Sequence, residues 1–197
     1  NYAALKEELR SCSSVKYTAA SSEVPGYGFT RNGYIPEGET EPQMIHVVDV
    51  DKDFFETYGV QIIQGRGFTE TQDRTSYLIN ESMAHQLNWD APIGKKIVRD
   101  GDHSVIGVVR DFQYANLHEK IQPLIITQRP WKDRYQFLSV RIAAGYPEEA
   151  INQIQRVWKQ TLPYVPFEYW FLNESLQKQY QAESQFRELF SLFSALA

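Results

Sequence analysis

The turn signal Asp100-Gly101 sits between two runs rich in β-branched residues, Lys96-Ile-Val-Arg99 and His103-Ser-Val-Ile-Gly-Val-Val109. This arrangement predicts a tight β-hairpin, because the pair tolerates the positive φ angles that such a turn needs. The hairpin commits the middle of the chain to a sheet. Just upstream, Tyr77-Leu-Ile79 reads as a strand, and Asn80 is placed to cap a helix running to Leu87. Glu81 at the first helical position suits the helix dipole. Residues 121–127 predict a further strand, which Pro123 would confine to a sheet edge.

The flanking segments mix both periodicities. Residues 2–10 predict a first helix, and Val15, Tyr17 and Ala19 alternate as in a strand. Residues 25–42 hold four glycines and three prolines and predict a long loop or lid, either a ligand or partner contact or a passive surface excursion. Residues 44–50 read as a strand and 51–58 as a short helix that Gly59 ends. Residues 60–63 are extended, and Gly65-Arg-Gly67 turns the chain. After residue 135 the pattern is strand, helix, strand, helix. Leu138, Val140 and Ile142 line one strand face, and Pro147 with Glu148 and Glu149 opens a helix whose buried stripe is Ile151, Ile154, Val157 and Trp158. Phe167, Tyr169 and Phe171 predict a last strand, and Asn173 a cap for the terminal helix. The fold class is α+β, with a strand-rich insertion between two pieces of a strand–helix layer.

Composition excludes several roles. With 42% hydrophobic and 23% charged residues over 197 positions, the chain is globular. Its 20 basic and 25 acidic residues leave a formal charge of −5 with no Lys/Arg-rich block, which argues against nucleic-acid binding. Cys12, the single cysteine, permits no internal disulfide, and such poverty fits periplasm and cytoplasm equally. No internal apolar run could span a bilayer. Residues 185–197 predict a helix that loses its charges after Glu188 and ends uniformly apolar. That pattern suits either an approach to a membrane surface or a terminal helix docked on a core.

Catalytic patterns are absent locally. Asp49-x-Asp51-x-Asp53 opens like a calcium loop, but Phe54 and Val60 stand where Gly and Glu are required, so the acids read as a solvated strand-to-helix junction. His46, His85, His103 and His118 lack the spacing of a zinc site. Gly94-Lys95-Lys96 lacks the upstream glycine and the Ser/Thr of a phosphate loop, and Gly65-x-Gly67 lacks a third glycine. No metal, cofactor or catalytic residue is expected, and the chain reads as a non-enzyme. Aromatics make up 14%, mostly at core-periodic positions, with Trp89 and Trp131 in turn-like surroundings as the exceptions.

Five motifs in order carry a resemblance: Asp53-Phe-Phe-Glu-Thr-Tyr-Gly-Val60, Gly65-Arg-Gly-Phe68, Leu78-Ile-Asn-Glu81, Pro92-Ile-Gly-Lys95 and Val105-Ile-Gly-Val-Val-Arg-Asp-Phe112. Together with the apolar end they resemble the extracytoplasmic core domain of MacB/FtsX-type ABC transporter permeases, of the Bacteroidetes-like kind. The resemblance implies a periplasmic domain at the inner membrane, between two transmembrane helices. It implies a porter-like subdomain from residues 1–50 and 132–197 and an inserted sabre-like subdomain at 51–131. It also implies mechanotransmission driven by a separate cytoplasmic ABC ATPase, with a second permease copy and a periplasmic adaptor or substrate protein as further partners. Gly65, Arg66, Asn80, Glu81, Gly94 and Asp111 are the matched motif positions, expected as turns, caps and strand ends. The other reading from the residues is a secreted or surface module binding a ligand such as a glycan through its aromatics.

Overall fold

The computed structural model describes residues 2–69, 73, 75–115, 119–128, 135–145 and 147–174. The chain divides into two compact units, Asn1–Leu162 and Pro163–Ala197. In the first, helix α1 (Tyr2–Arg10) leads into strand β1 (Val15–Ser21), then β2 (Arg31–Pro36) and β3 (Gln43–Asp49). Helix α2 (Phe54–Tyr58), strands β4 (Ile62–Gly65) and β5 (Ser76–Asn80) and helix α3 (Glu81–Gln86) follow. The hairpin β6 (Lys96–Val98) and β7 (Asp102–Val109), then β8 (Leu124–Thr127), β9 (Phe137–Ile142) and α4 (Pro147–Thr161) complete the unit.

Seven strands join in the order β4-β7-β5-β8-β3-β2-β6. The ladder then closes on itself, because β6 is paired with β2 through Ile35↔Val98 and also with β7 through Lys96↔Ser104. Six strands therefore form a ring, and β4 continues the line of β6 along the same edge of β7. Closure explains the burial pattern. One cluster draws a buried side chain from every ring strand: Tyr34, Ile45, Tyr77, Ile97, Val105 and Ile125, with Met83 of α3 added. Such a cluster fills the interior of the ring. The opposite faces of β3, β5 and β8, through Val48, Leu78, Leu124 and Ile126, meet Phe54 and Phe55 of α2 in a second core. With both faces covered, all residues of β5 and β8 are buried.

The smaller sheet pairs β1 with β9 antiparallel, from Thr18↔Val140 to Ser21↔Phe137. Helices α1 and α4 contact each other, α1 also packs on β1, and Leu5 and Leu9 are the buried residues of its apolar stripe. Helix α2 links this sheet to the ring: it packs on β1 and β9, and the Tyr58 hydroxyl and Ser139 Oγ lie 2.5 Å apart. The second unit, in its described part, holds an irregular segment at 163–171 and a helical turn at 172–174.

The hairpin is present, with Gly101 alone taking a positive φ, 126°. Several expectations need correction. The stretch 25–42 is no continuous loop: it contains β2, held by its pairing with β3 at Arg31↔His46 and by burial of Tyr34. Strand β8 is not at an edge but between β3 and β5, because Pro123 precedes the first ladder residue, Leu124, and removes no donor from it. Residues 167–171 join no ladder among the described residues. Their alternating rings instead contact one another, Phe167 and Tyr169 at 5.5 Å and Tyr169 and Phe171 at 5.9 Å. Asn173 lies within the helical turn and does not cap it, and the stripe of α4 is half-buried, with only Ala150 fully so. The apolar helix expected at 185–197 lies outside the described residues. Among those described, no helix is long and apolar enough to cross a membrane.

Candidate functional site

Three of the six matched motif positions converge. Asn80 ends β5 fully buried, and its Oδ1 accepts from Met83 N at 3.1 Å, the expected cap, and from Leu124 N at 2.9 Å. Its Nδ2 donates to Asp111 Oδ1 at 2.8 Å and to the Gln122 carbonyl at 2.9 Å. Both donors and both lone pairs of the amide are thus used. Asp111, just beyond β7, accepts from Ser82 N at 3.0 Å and Ser82 Oγ at 2.6 Å, while its own N–H donates to Glu81 Oε2 at 2.8 Å. One knot therefore ties the ends of β5, β7, β8 and the start of α3.

Gly65, Arg66 and Gly94 stand elsewhere. Gly65 takes φ 70°, and a Cβ there would lie 2.2 Å from the Ile106 carbonyl oxygen, so only glycine lets β4 press this closely on β7. Arg66 binds Asp73 through two hydrogen bonds, 3.0 and 2.7 Å, and Thr69 adds its N–H and hydroxyl to the same carboxylate. These donors, Arg66 first, outweigh the burial of Asp73 and hold its pKa down at about 2. Because that value lies below the unfolded one, the pair stabilises the fold above about pH 4, and the contribution is lost as pH falls through about 2. Asp73→Asn is expected to cost about 2 kcal/mol at neutral pH, with the gap to the parent closing near pH 2 in denaturant titrations. Gly94, at φ 87°, donates its N–H to the Val105 carbonyl at 2.8 Å and opens the β6 side of the hairpin.

The most concentrated charge lies at a place the sequence reading described as solvated. Asp51 and Asp49 are buried, and Asp51 Oδ2 sits against Lys6 Nζ of α1 at 2.5 Å. The same carboxylate accepts the Tyr2 hydroxyl and, at 3.0 Å, the Ala20 N–H of β1. Lys6 also reaches Asp53 at 2.5 Å, where Arg10 joins at 2.7 Å. Burial first, then the Asp51 charge, pushes the Tyr2 hydroxyl pKa well above its ordinary value. Tyr135 closes the cluster, its hydroxyl donating to the Val50 carbonyl at 3.0 Å and its ring 5.7 Å from that of Tyr2. This junction clamps α1 and β1 to the end of β3. Lys6 and Arg10, spaced i and i+4 on one helix face, were the available signal, opposite Asp51-x-Asp53; no local rule pairs segments 45 residues apart.

Two of the histidines, His46 and His103, serve packing. His46 Nε2 accepts from Arg31 Nε at 2.8 Å, which leaves Nδ1 to donate to the Phe29 carbonyl at 2.7 Å. His103 stacks on Tyr77 with ring centroids 4.4 Å apart. His118 and Trp131 lie outside the described residues. No His/Cys/Asp/Glu group among the described residues could hold a metal. Trp89 packs against the interior core after Asn88, at φ 52°, ends α3 and turns the chain back. Beside it a groove of about 450 Å³ is lined by Ile63, Gln64, Glu81, Ala84, His85, Asn88, Trp89, Asp90 and Val108.

The profile of the family described as MacB-like periplasmic core domain matches residues 1–157. Three solved structures show the same fold at low identity. A domain of a putative permease protein from Porphyromonas gingivalis aligns with TM-score 0.59 at 19% identity, over 84% of this chain and 84% of that one. The periplasmic region of MacB from Actinobacillus actinomycetemcomitans gives 0.57 at 16%, over 80% and 72%. The extracellular domain of the noncanonic ABC-type transporter YknZ from Gram-positive bacteria gives 0.57 at 16%, over 80% and 81%. No curated protein matches the chain. The family match spans both sheets and all five motifs, so the chain belongs to the family of MacB-like periplasmic core domains.

Proposed function

We propose that this domain is the extracytoplasmic part of an ABC transporter permease and that it relays movement between membrane helices and periplasmic partners. The observation that carries this reading is the buried clamp of Lys6 on Asp51 and Asp53, flanked by the half-exposed Arg10 on Asp53, which couples α1 to the root of the ring. A first helix pulled or rotated would move the ring with it, because buried ion pairs resist separation far more than surface ones. In this reading the α1–β1–β9–α4 layer is the porter-like part and the ring the inserted sabre-like part. The permease sits in the inner membrane with this domain in the periplasm. A cytoplasmic ABC ATPase supplies the energy, a second permease copy completes the machine, and a periplasmic adaptor or substrate protein is what it moves. The domain itself performs no chemistry. Membership in the family favours this over the glycan-binding reading.

The test uses the full-length transporter in lipid, with Cys12→Ser as background and a spin label at Met44→Cys, an exposed position on β3 that is 65% accessible. The distance between labels on two copies is expected to shift between the nucleotide-free and ATP-bound states, and Arg10→Glu is expected to reduce the shift. A distance distribution unmoved by ATP would count against the relay.

A further inference from the structure

Closing the ring removes the open edges of six strands but not that of β4. Among the described residues β4 pairs with β7 alone, so the backbone along its outer side has no strand beside it. An unpaired edge of this kind is a ready template for an added strand. The groove described above runs from Ile63 and Gln64 of β4 across to Val108 of β7, the ladder partner of Gln64, and on to α3 and the turn after it with Trp89 and Asp90, so a side chain of a strand added beside β4 would reach it by crossing β4. Ile63 is 36% exposed, and Trp89 is half-buried, so an apolar wall and an aromatic ring both face the space.

The charge of the lining selects the partner. Glu81 and Asp90 contribute carboxylates, His85 an imidazole, and among the described residues no Lys or Arg lines the groove. The whole chain, at −5, has the same sign. An indole and two carboxylates lining one groove are groups suited to an ammonium or guanidinium, since the ring face attracts a cation and the acids neutralise it, Glu81 keeping free the acceptor positions that the Asp111 N–H does not use. We propose that this groove binds an extended, positively charged segment of a partner protein, which adds as a strand beside β4 and lays a Lys or Arg side chain over Trp89 between Glu81 and Asp90. The edge supplies main-chain pairing and the groove supplies the choice of side chain. This site is separate from the clamp at Asp51, so the relay could fail its test while the groove passes its own.

The probe is a fluorescent eight-residue peptide of alternating Val and Arg, titrated onto the 197-residue chain by polarisation, with the Val–Glu analogue beside it. The Val–Arg peptide is expected to bind saturably and the Val–Glu analogue not at all. Asp90→Lys is expected to weaken binding about tenfold, whereas Asp102→Lys, the same charge change on the exposed hairpin, changes it less than about twofold. N-methylation of alternate backbone amides separates strand addition from charge attraction: one frame of methylation is expected to abolish binding and the other to spare it. Absence of binding, equal effects of the two lysine substitutions, or indifference to both methylation frames would each overturn the proposal. Asp90→Lys, which is not a core residue, is expected to keep the parent's unfolding curve, so that its loss of binding reports the groove and not the fold.

Discussion

Asp51→Ala is expected to lower the unfolding free energy by about 3 to 5 kcal/mol in denaturant titrations, the largest loss of any substitution considered. The side chain is nearly inaccessible, and its removal strands the Lys6 ammonium, 9% exposed, beside Asp53 alone. It also takes an acceptor from the Tyr2 hydroxyl and from the Ala20 N–H, two donors with little water to turn to. The cause can be isolated by a second change. If the loss comes from an uncompensated buried charge, then adding Lys6→Met to Asp51→Ala recovers a substantial part of it, because an apolar side chain tolerates the site that an unpaired ammonium does not. If the double variant is as unstable as the sum of the singles, charge burial is not the source. A relay built on this clamp would be stiff for the same reason that it is costly to break.

Asn80→Ala is the second large effect, about 3 kcal/mol, and its cause is hydrogen bonding in place of charge. Truncation leaves Met83 N and Leu124 N without their acceptor and the Gln122 carbonyl and Asp111 each short of a donor. The helix also loses its cap. Asn80→Asp distinguishes the parts. It keeps the acceptor for both N–H groups but places a second carboxylate oxygen where Nδ2 now donates to Asp111 at 2.8 Å. That variant is expected to be destabilised at neutral pH and to recover as acid protonates one of the two carboxyl groups. Unfolding curves at two pH values would check it, and equal losses for both variants at both pH values would argue that the knot matters only as a cap.

The local parts of this structure were legible. Asn80 before Glu81 announced its own cap, Gly59 ended α2 in the left-handed conformation at φ 72°, and Asp100-Gly101 made its hairpin, because each of these choices is settled within a few residues. Failures arose where distance decides. Strand β2 hid in a stretch rich in Gly and Pro because what makes it a strand is Ile45 and His46 opposite, not its own composition. Pro123 suggested an edge that Leu124 escapes by beginning the ladder one residue later. The ring itself rests on Ile35 meeting Val98, a pairing that no periodicity encodes. The clamp failed for another reason: acids following a strand usually face water, and only α1 folding back over them makes Asp51 a buried ion. The motif reading placed Asn80, Glu81 and Asp111 in order along the chain without revealing that they touch.

The ends of β3 and β8 meet the smaller sheet through backbone bonds. The two strands run parallel, Asp49 lies opposite Thr127, and Val50 N donates to the Thr127 carbonyl at 2.9 Å; on its other side Val50 bridges Ser21 at the end of β1, and Ser22 N donates to the Asp49 carbonyl at 2.8 Å. A row of such bonds across three adjoining segments behaves like a line hinge. It allows the carried body to tilt about that row and opposes its spinning across it. A stroke arriving through α1 would then be channelled into one plane, which turns an undirected push at the base into an aimed displacement at the far end.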